Sequence, residues 1–125
     1  MSNKFELQAN QYKFPYHYIP QSHIFDYSDL KVTANLRYGL EYLMTLDKVI
    51  TFLKDSNADE LLDIGCGDGR LVNRIRSYSL DIKKYKGVDL APDAIRFAKC
   101  MNPQEDFQVM NIADLEDDFA FISSI

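Results

Sequence analysis

One carboxylate and three glycines at alternate positions, Asp63 then Gly65, Gly67 and Gly69, stand between apolar Leu61-Leu62 and the helically periodic Leu71-Val72-Asn73-Arg74-Ile75. Glycine lets a main chain turn sharply and lets another molecule sit directly against it. A strand, a glycine loop and a helix in succession therefore make a place to hold a ligand at a helix N-terminus. Spacing decides which ligand. A P-loop closes with Gly-Lys-Ser/Thr, whereas this loop closes with Gly69-Arg70-Leu71. The dinucleotide fingerprint wants glycine at its first, third and sixth positions, and counting from Gly65 the sixth is Arg70. What remains is acidic-x-Gly-x-Gly-x-Gly at the end of a first strand. A second carboxylate, Asp89, closes the segment Tyr85–Leu90. Helix capping is the competing explanation for both aspartates.

The elements that must position these residues follow from periodicity. Leu36, Leu40, Leu43, Leu46, Ile50 and Leu53 recur every three or four residues and predict a helix from about Val32 to Lys54. Next comes an alternation of strands at Glu60–Ile64, Tyr85–Leu90, Phe107–Met110 and Phe119–Ile125 with helices at Gly69–Tyr78 and Pro92–Met101. Pro92 fits a first helical turn, where its missing N–H costs nothing. Strand–helix–strand alternation predicts right-handed crossovers and a parallel sheet. The run Lys83-Lys84-Tyr85-Lys86 reads as a solvated approach to the second strand, and Arg74 and Arg76 as the polar face of their helix. Three segments result: an aromatic N-terminal arm over 1–30, a helical segment over 31–57 that packs on the domain, and the α/β domain over 58–125.

Leu61–Arg70 resembles the first motif of the class I S-adenosylmethionine-dependent methyltransferases, and Gly87–Ile95 resembles that family's second strand with its terminal acidic residue. The resemblance covers roughly residues 58–125. It implies a Rossmann-like parallel sheet with flanking helices, strand order beginning 3-2-1-4, and here truncated after the fourth strand. It implies S-adenosyl-L-methionine (SAM) as cofactor, with Gly65, Cys66, Gly67 and Gly69 letting the backbone approach the methionine and ribose. Asp63 would attract the ammonium group directly or through water, Asp89 would accept from both ribose hydroxyls, and Leu90 would pack on the adenine. Phe107–Leu115 departs from the family's third motif, because Asn111 stands where an Asp is usual. The Asn111 amide oxygen and the Ile112 N–H are the favoured adenine contacts, with Asp114 the rival. Cys66 is a small residue filling the loop, with no base near it in sequence to make it a nucleophile.

A chain of 125 residues fits one domain. Its net charge of −5 creates no global positive field toward nucleic acid, and this favours a small-molecule methyl acceptor. No apolar run approaches the ~20 residues of a membrane span. The N-terminus lacks a signal-peptide layout, and Cys66 and Cys100 show neither metal-ligand nor redox spacing, so the expected setting is the cytoplasm and no metal is expected. The aromatic run Tyr12–Tyr18 is either packing on the sheet or a lid over the cofactor, and His17 and His23 within the arm are packed or surface residues. Phe119–Ile125 would present a bare sheet edge, which predicts an N-terminal fragment of a longer methyltransferase or pairing with another copy. No catalytic residue is assigned. A non-catalytic SAM-binding module that relies on a partner chain is the alternative, and nicotinamide-dependent oxidoreduction fits the fold but not the glycine spacing.

Overall fold

The computed structural model describes Lys4, Glu6 and residues 30–124. Apart from Lys4, Glu6 and Leu30, the aromatic arm, with its two histidines and two prolines, therefore lies outside the described residues. The chain divides into two compact units, Met1–Asp47 and Lys48–Ile125, with the boundary inside the first long helix. Elements follow in the order α1 (Leu30–Asp55), β1 (Glu60–Ile64), α2 (Arg70–Ser77), β2 (Lys84–Asp89), α3 (Pro92–Met101), β3 (Asp106–Val109), a short 3-10 turn (Ile112–Asp114) and β4 (Ile122–Ser124). Polar Ser56 and left-handed Asn57 end the helical run after α1.

All strand pairs are parallel and the sheet order is β3-β2-β1-β4, which places the glycine loop at the carboxyl end of an inner strand. Register puts Ser123, Asp63, Gly87 and Phe107 side by side in one row across the four strands. Adjacent partners in a row share a face of the sheet. Leu61, Leu62 and Val88 are buried, as expected for inner strands covered on both faces. Leu71, Val72 and Ile75 from α2 and Ala94, Ile95 and Ala98 from α3 are buried with them. Arg76 does more than line a polar helix face. Its guanidinium makes two bonds to Glu105, at 2.6 and 3.0 Å, and a third to the Ile82 carbonyl at 2.9 Å. One side chain thus ties α2 to the approaches of both β2 and β3.

Two sequence expectations need correction. The lysine run is a solvated approach only in part: Lys83 and Lys84 are exposed, but β2 already begins at Lys84 and Lys86 is buried at 9% exposure. The Lys86 stem lies in the sheet while its ammonium reaches Asp117, as long basic side chains do when only their tips need solvent or a partner. The fourth strand is shorter than Phe119–Ile125, with the ladder to β1 carried by Ile122–Ser124. Phe119 instead lies under the Lys84 ammonium, 4.1 Å from its ring centre, and Phe121 meets Phe52 edge-on at 6.4 Å. Those aromatics anchor the approach to the strand.

Candidate functional site

The glycine loop is bound to the neighbouring strand before it meets any ligand. The N–H groups of Gly65 and Cys66 both donate to the Val88 carbonyl, at 2.8 and 3.0 Å. Gly69 N–H closes a turn onto the Cys66 carbonyl at 3.0 Å. Gly65, Gly67 and Gly69 all hold positive φ, at 71°, 55° and 76°. Two of them differ in surroundings. A Cβ on Gly69 would come within 2.8 Å of Asn102 Nδ2 and 2.9 Å of Phe107 Cζ, while a Cβ on Gly65 would meet nothing within 4 Å. Gly69 is small to let the protein close on itself, and Gly65 leaves its backbone open to an incoming molecule.

Asp89 ends β2 and is buried at 7% exposure. Its Oδ2 accepts from Gly67 N–H at 3.0 Å and its Oδ1 from Ala91 N–H at 2.8 Å. A carboxylate offers about four acceptor positions, so one remains on each oxygen. Asp63 lies one strand away, buried at 3%, and accepts from the Tyr85 and Ser123 hydroxyls at 3.0 Å each. Neither aspartate is itself the cap residue of the helix that follows it, since the caps of α2 and α3 are Gly69 and Ala91, although Asp89 does accept from the N–H of the α3 cap. Burial pushes the Cys66 thiol far above its ordinary range, with the Asp63 and Asp89 charges adding to the effect, which favours the protonated thiol.

Leu90 and Ile112 present exposed apolar side chains after β2 and β3, at the carboxyl edge where open α/β sheets bind ligands. Asn111 precedes the 3-10 turn and its side-chain oxygen accepts from Ala113 N–H at 3.0 Å, which fixes the direction of the amide. The Ile112 N–H opens that turn and so has no bond within it. Asp114 is exposed in the same turn, its own N–H bonded to the Asn111 carbonyl at 2.9 Å.

Sequence reasoning missed four residues in and around this loop. Asn102, buried at 2%, donates to the Gly69 and Ala98 carbonyls at 3.3 Å each and accepts from Asn73 at 3.3 Å, bridging the loop to both flanking helices. An asparagine directly before Pro103 reads only as a helix end, so its bridging role carries no local signal. Tyr85 and Ser123, the donors to Asp63, come from strands 22 and 60 residues away in sequence. Asp68, also buried, accepts from Arg70 Nε at 3.0 Å. Among the described residues no group of three or more His, Cys, Asp or Glu could hold a metal, and no helix is long and apolar enough to cross a membrane.

Enclosure of Asp63 has a cost in stability. Burial raises its pKa from 3.8 to about 6, with the hydroxyl bonds from Ser123 and Tyr85 opposing and the Asp89 charge adding. Between those values the folded state keeps a proton that the unfolded chain has released, so stability falls as pH rises through the window. The loss above it is about 3 kcal/mol. Asp63→Asn, neutral and of the same shape, is therefore expected to melt higher than wild type at about pH 7 and to lose that advantage near pH 4. Thermal melts at the two pH values check this.

Residues 55–121, more than half of the chain, match the family described as a methyltransferase domain. A 44-residue stretch is 46% identical to an uncharacterized methyltransferase of Schizosaccharomyces pombe, covering 35% of this chain and 16% of that protein. DesVI of Streptomyces venezuelae superposes with a TM-score of 0.58 at 20% identity, over 81% of this chain and 43% of that one. Magnesium protoporphyrin IX methyltransferase of Synechocystis PCC 6803, solved with bound SAM, gives 0.61 at 17% identity, over 98% and 56%. At such identities the two superpositions speak for the fold, which is Rossmann-like. The chain spans less than half the length of the curated relatives it matches. Fold and loop together are of the Rossmann-like α/β class, with a glycine loop at the carboxyl end of an inner strand. The chain belongs to the methyltransferase-domain family.

Proposed function

We propose that this chain holds the methyl donor of a methyltransferase, with SAM at the carboxyl edge of β1 and β2 and a small molecule as acceptor. The observation that carries the reading is the pairing of Asp89 with the glycine loop. Its carboxylate is fixed by two backbone N–H bonds, one of them from Gly67, and Gly65 nearby in the loop leaves its backbone uncovered. The two acceptor positions left on Asp89 suit a pair of vicinal ribose hydroxyls. Backbone at Gly65, Cys66 and Gly67 would face the methionine portion, and Asp63 beneath it would act as counter-charge to the ammonium. Leu90 and Ile112 would cover the adenine faces. The Ile112 N–H and the second lone pair of the Asn111 oxygen would read the adenine edge, with Asp114 beyond them.

When bound, SAM supplies an electrophilic methyl group on a cationic sulfur. The chain's own residues bind and orient it; alignment of nucleophile, carbon and sulfur supplies much of the acceleration in such displacements. Nothing in the loop is built for a pyrophosphate. Arg70 opens α2 at the position where a dinucleotide site needs its third glycine, and its side chain is committed to Asp68. The net charge of −5 favours a small-molecule acceptor over nucleic acid. We place any self-association at β4, whose outer edge is unpaired among the described residues and whose Ile122 is 64% exposed.

Parallel titrations with SAM, its demethylated product and a nicotinamide dinucleotide test the reading. Binding of the first two and not the third is expected. Binding of the dinucleotide alone would overturn it. Turnover measured with labelled SAM and candidate small acceptors separates an enzyme from a donor-binding module that needs a partner chain: transfer supports the first, and binding without transfer the second.

A further inference from the structure

Asp63 occupies the centre of the row Ser123–Asp63–Gly87–Phe107, and its two oxygens are engaged separately. Ser123 Oγ donates to Oδ1 from β4 and Tyr85 Oη donates to Oδ2 from β2, each at 3.0 Å. The tyrosine reaches Asp63 because residue 87 has no side chain. A Cβ on Gly87 would stand 2.9 Å from the Tyr85 hydroxyl and 2.6 Å from the Phe107 ring. Phe107 meets the Tyr85 ring edge-on, with centres 5.7 Å apart, and fixes its direction. The other groups acting on Asp63 are the Asp89 carboxylate from the end of β2 and the Cys66 thiol from the loop. None of these neighbours is cationic.

A carboxylate enclosed in this way, with a second carboxylate near it, tends to give up its charge. Donated hydroxyl bonds work in the opposite direction, because they favour the ionised form. Building on the reading of this edge as the SAM site, we propose that Tyr85 and Ser123 are positioning residues for donor binding, holding Asp63 ionised and aimed as counter-charge to the donor's ammonium group. The missing cation of this buried cluster is then the ligand itself. Both residues act through Asp63, and neither is assigned a contact with the cofactor.

A pH signature follows. In the free protein Asp63 titrates at about 6, with burial raising the value and the Ser123 and Tyr85 bonds lowering it. An ammonium bound beside it draws the value down, so binding weakens as pH falls through about 6 and expels a proton there. Removing either hydroxyl leaves burial less opposed and moves the onset of weakening to higher pH.

The test uses calorimetric SAM titrations of the full chain and of Tyr85→Phe, Ser123→Ala and Ser123→Thr between about pH 5 and pH 8. The quantity read is the ratio of variant to wild-type Kd, in which titration of the ligand's own amino group cancels. For Tyr85→Phe and Ser123→Ala the ratio is expected near one at about pH 8, climbing to about tenfold at pH 5 for a one-unit displacement. Ser123→Thr, which keeps a hydroxyl, should stay near one throughout. A ratio above one but flat across the whole range means a merely structural role and overturns the proposal. Wild-type protein that is folded but binds no SAM at any of these pH values overturns the donor-site reading and the proposal with it. Should Tyr85→Phe fail to fold, the two Ser123 variants carry the decision.

Discussion

Alanine at Gly69 is expected to cost the folded state about 3 kcal/mol, while alanine at Gly65 costs about 1 kcal/mol and removes SAM binding instead. Both glycines hold left-handed φ, 76° and 71°, so both substitutions carry the same backbone penalty. The difference lies in what the new methyl meets. At residue 69 it would lie 2.8 Å from Asn102 Nδ2 and 2.9 Å from Phe107 Cζ, and both neighbours are buried at 2%. Neither can give way: Asn102 is tied to Gly69 and Ala98 carbonyls, and Phe107 sits in a strand against the Tyr85 ring. At residue 65 the methyl enters open space, which is the space proposed for the ligand. Urea denaturation paired with SAM titration checks both halves. Equal losses of stability, or a Gly65→Ala variant with wild-type affinity, would contradict the assignment of roles.

Asp89→Ala is expected to weaken SAM binding by at least about 100-fold, corresponding to two charge-assisted bonds to ribose. The same change strands the Gly67 and Ala91 N–H groups that the carboxylate now accepts from, at 3.0 and 2.8 Å. A buried N–H left without a partner costs about 1–3 kcal/mol, so the variant should also melt earlier. Asp89→Asn separates the two effects. Its single oxygen can serve one backbone donor and its shape is retained, but it lacks the charge and the second acceptor, so it should recover part of the stability and little of the affinity. An Asp89→Ala protein that is folded and binds SAM as wild type does would remove Asp89 from the site.

The parts of this site that were legible in the sequence are those encoded by local spacing. Alternate glycines after Asp63, a carboxylate at the end of the next strand and Pro92 at the start of a helix each announce themselves within a few residues, and β1, α3 and the strand order stand where the spacing and the resemblance place them. The partners of Asp63 were hidden because they depend on strand register. Tyr85 lies among lysines and Ser123 in an ordinary serine pair, and only the alignment of Asp63 with Gly87 and Ser123 brings their hydroxyls together. Lys86 misled for a related reason: charge in a lysine run suggests solvent, yet pairing with Leu62 and Asp106 puts it inside the sheet with Asp117 at its tip. Phe119 and Phe121 have strand-like character, but contacts with Lys84 and Phe52 hold them ahead of the β4 ladder.

Asp63 and Asp89 together give the loop its character. Both are buried, neither has a basic side chain on its oxygens, and each is held by donors of the fold itself: hydroxyls for Asp63, main-chain amides for Asp89. Such an arrangement suits a ligand that is cationic and rich in hydroxyl donors, whereas a site for a pyrophosphate needs donors facing outward. The raised pKa of Asp63, about 6, is the part of that design that a solution measurement can follow.

The most direct measurement is a SAM titration of the isotope-labelled chain followed by amide NMR. The account predicts that the largest perturbations fall on the amides of Gly65, Cys66, Gly67, Leu90 and Ile112. Perturbations that leave these amides unmoved and cluster on the outer face of α1, or the absence of any in a folded protein, would contradict it.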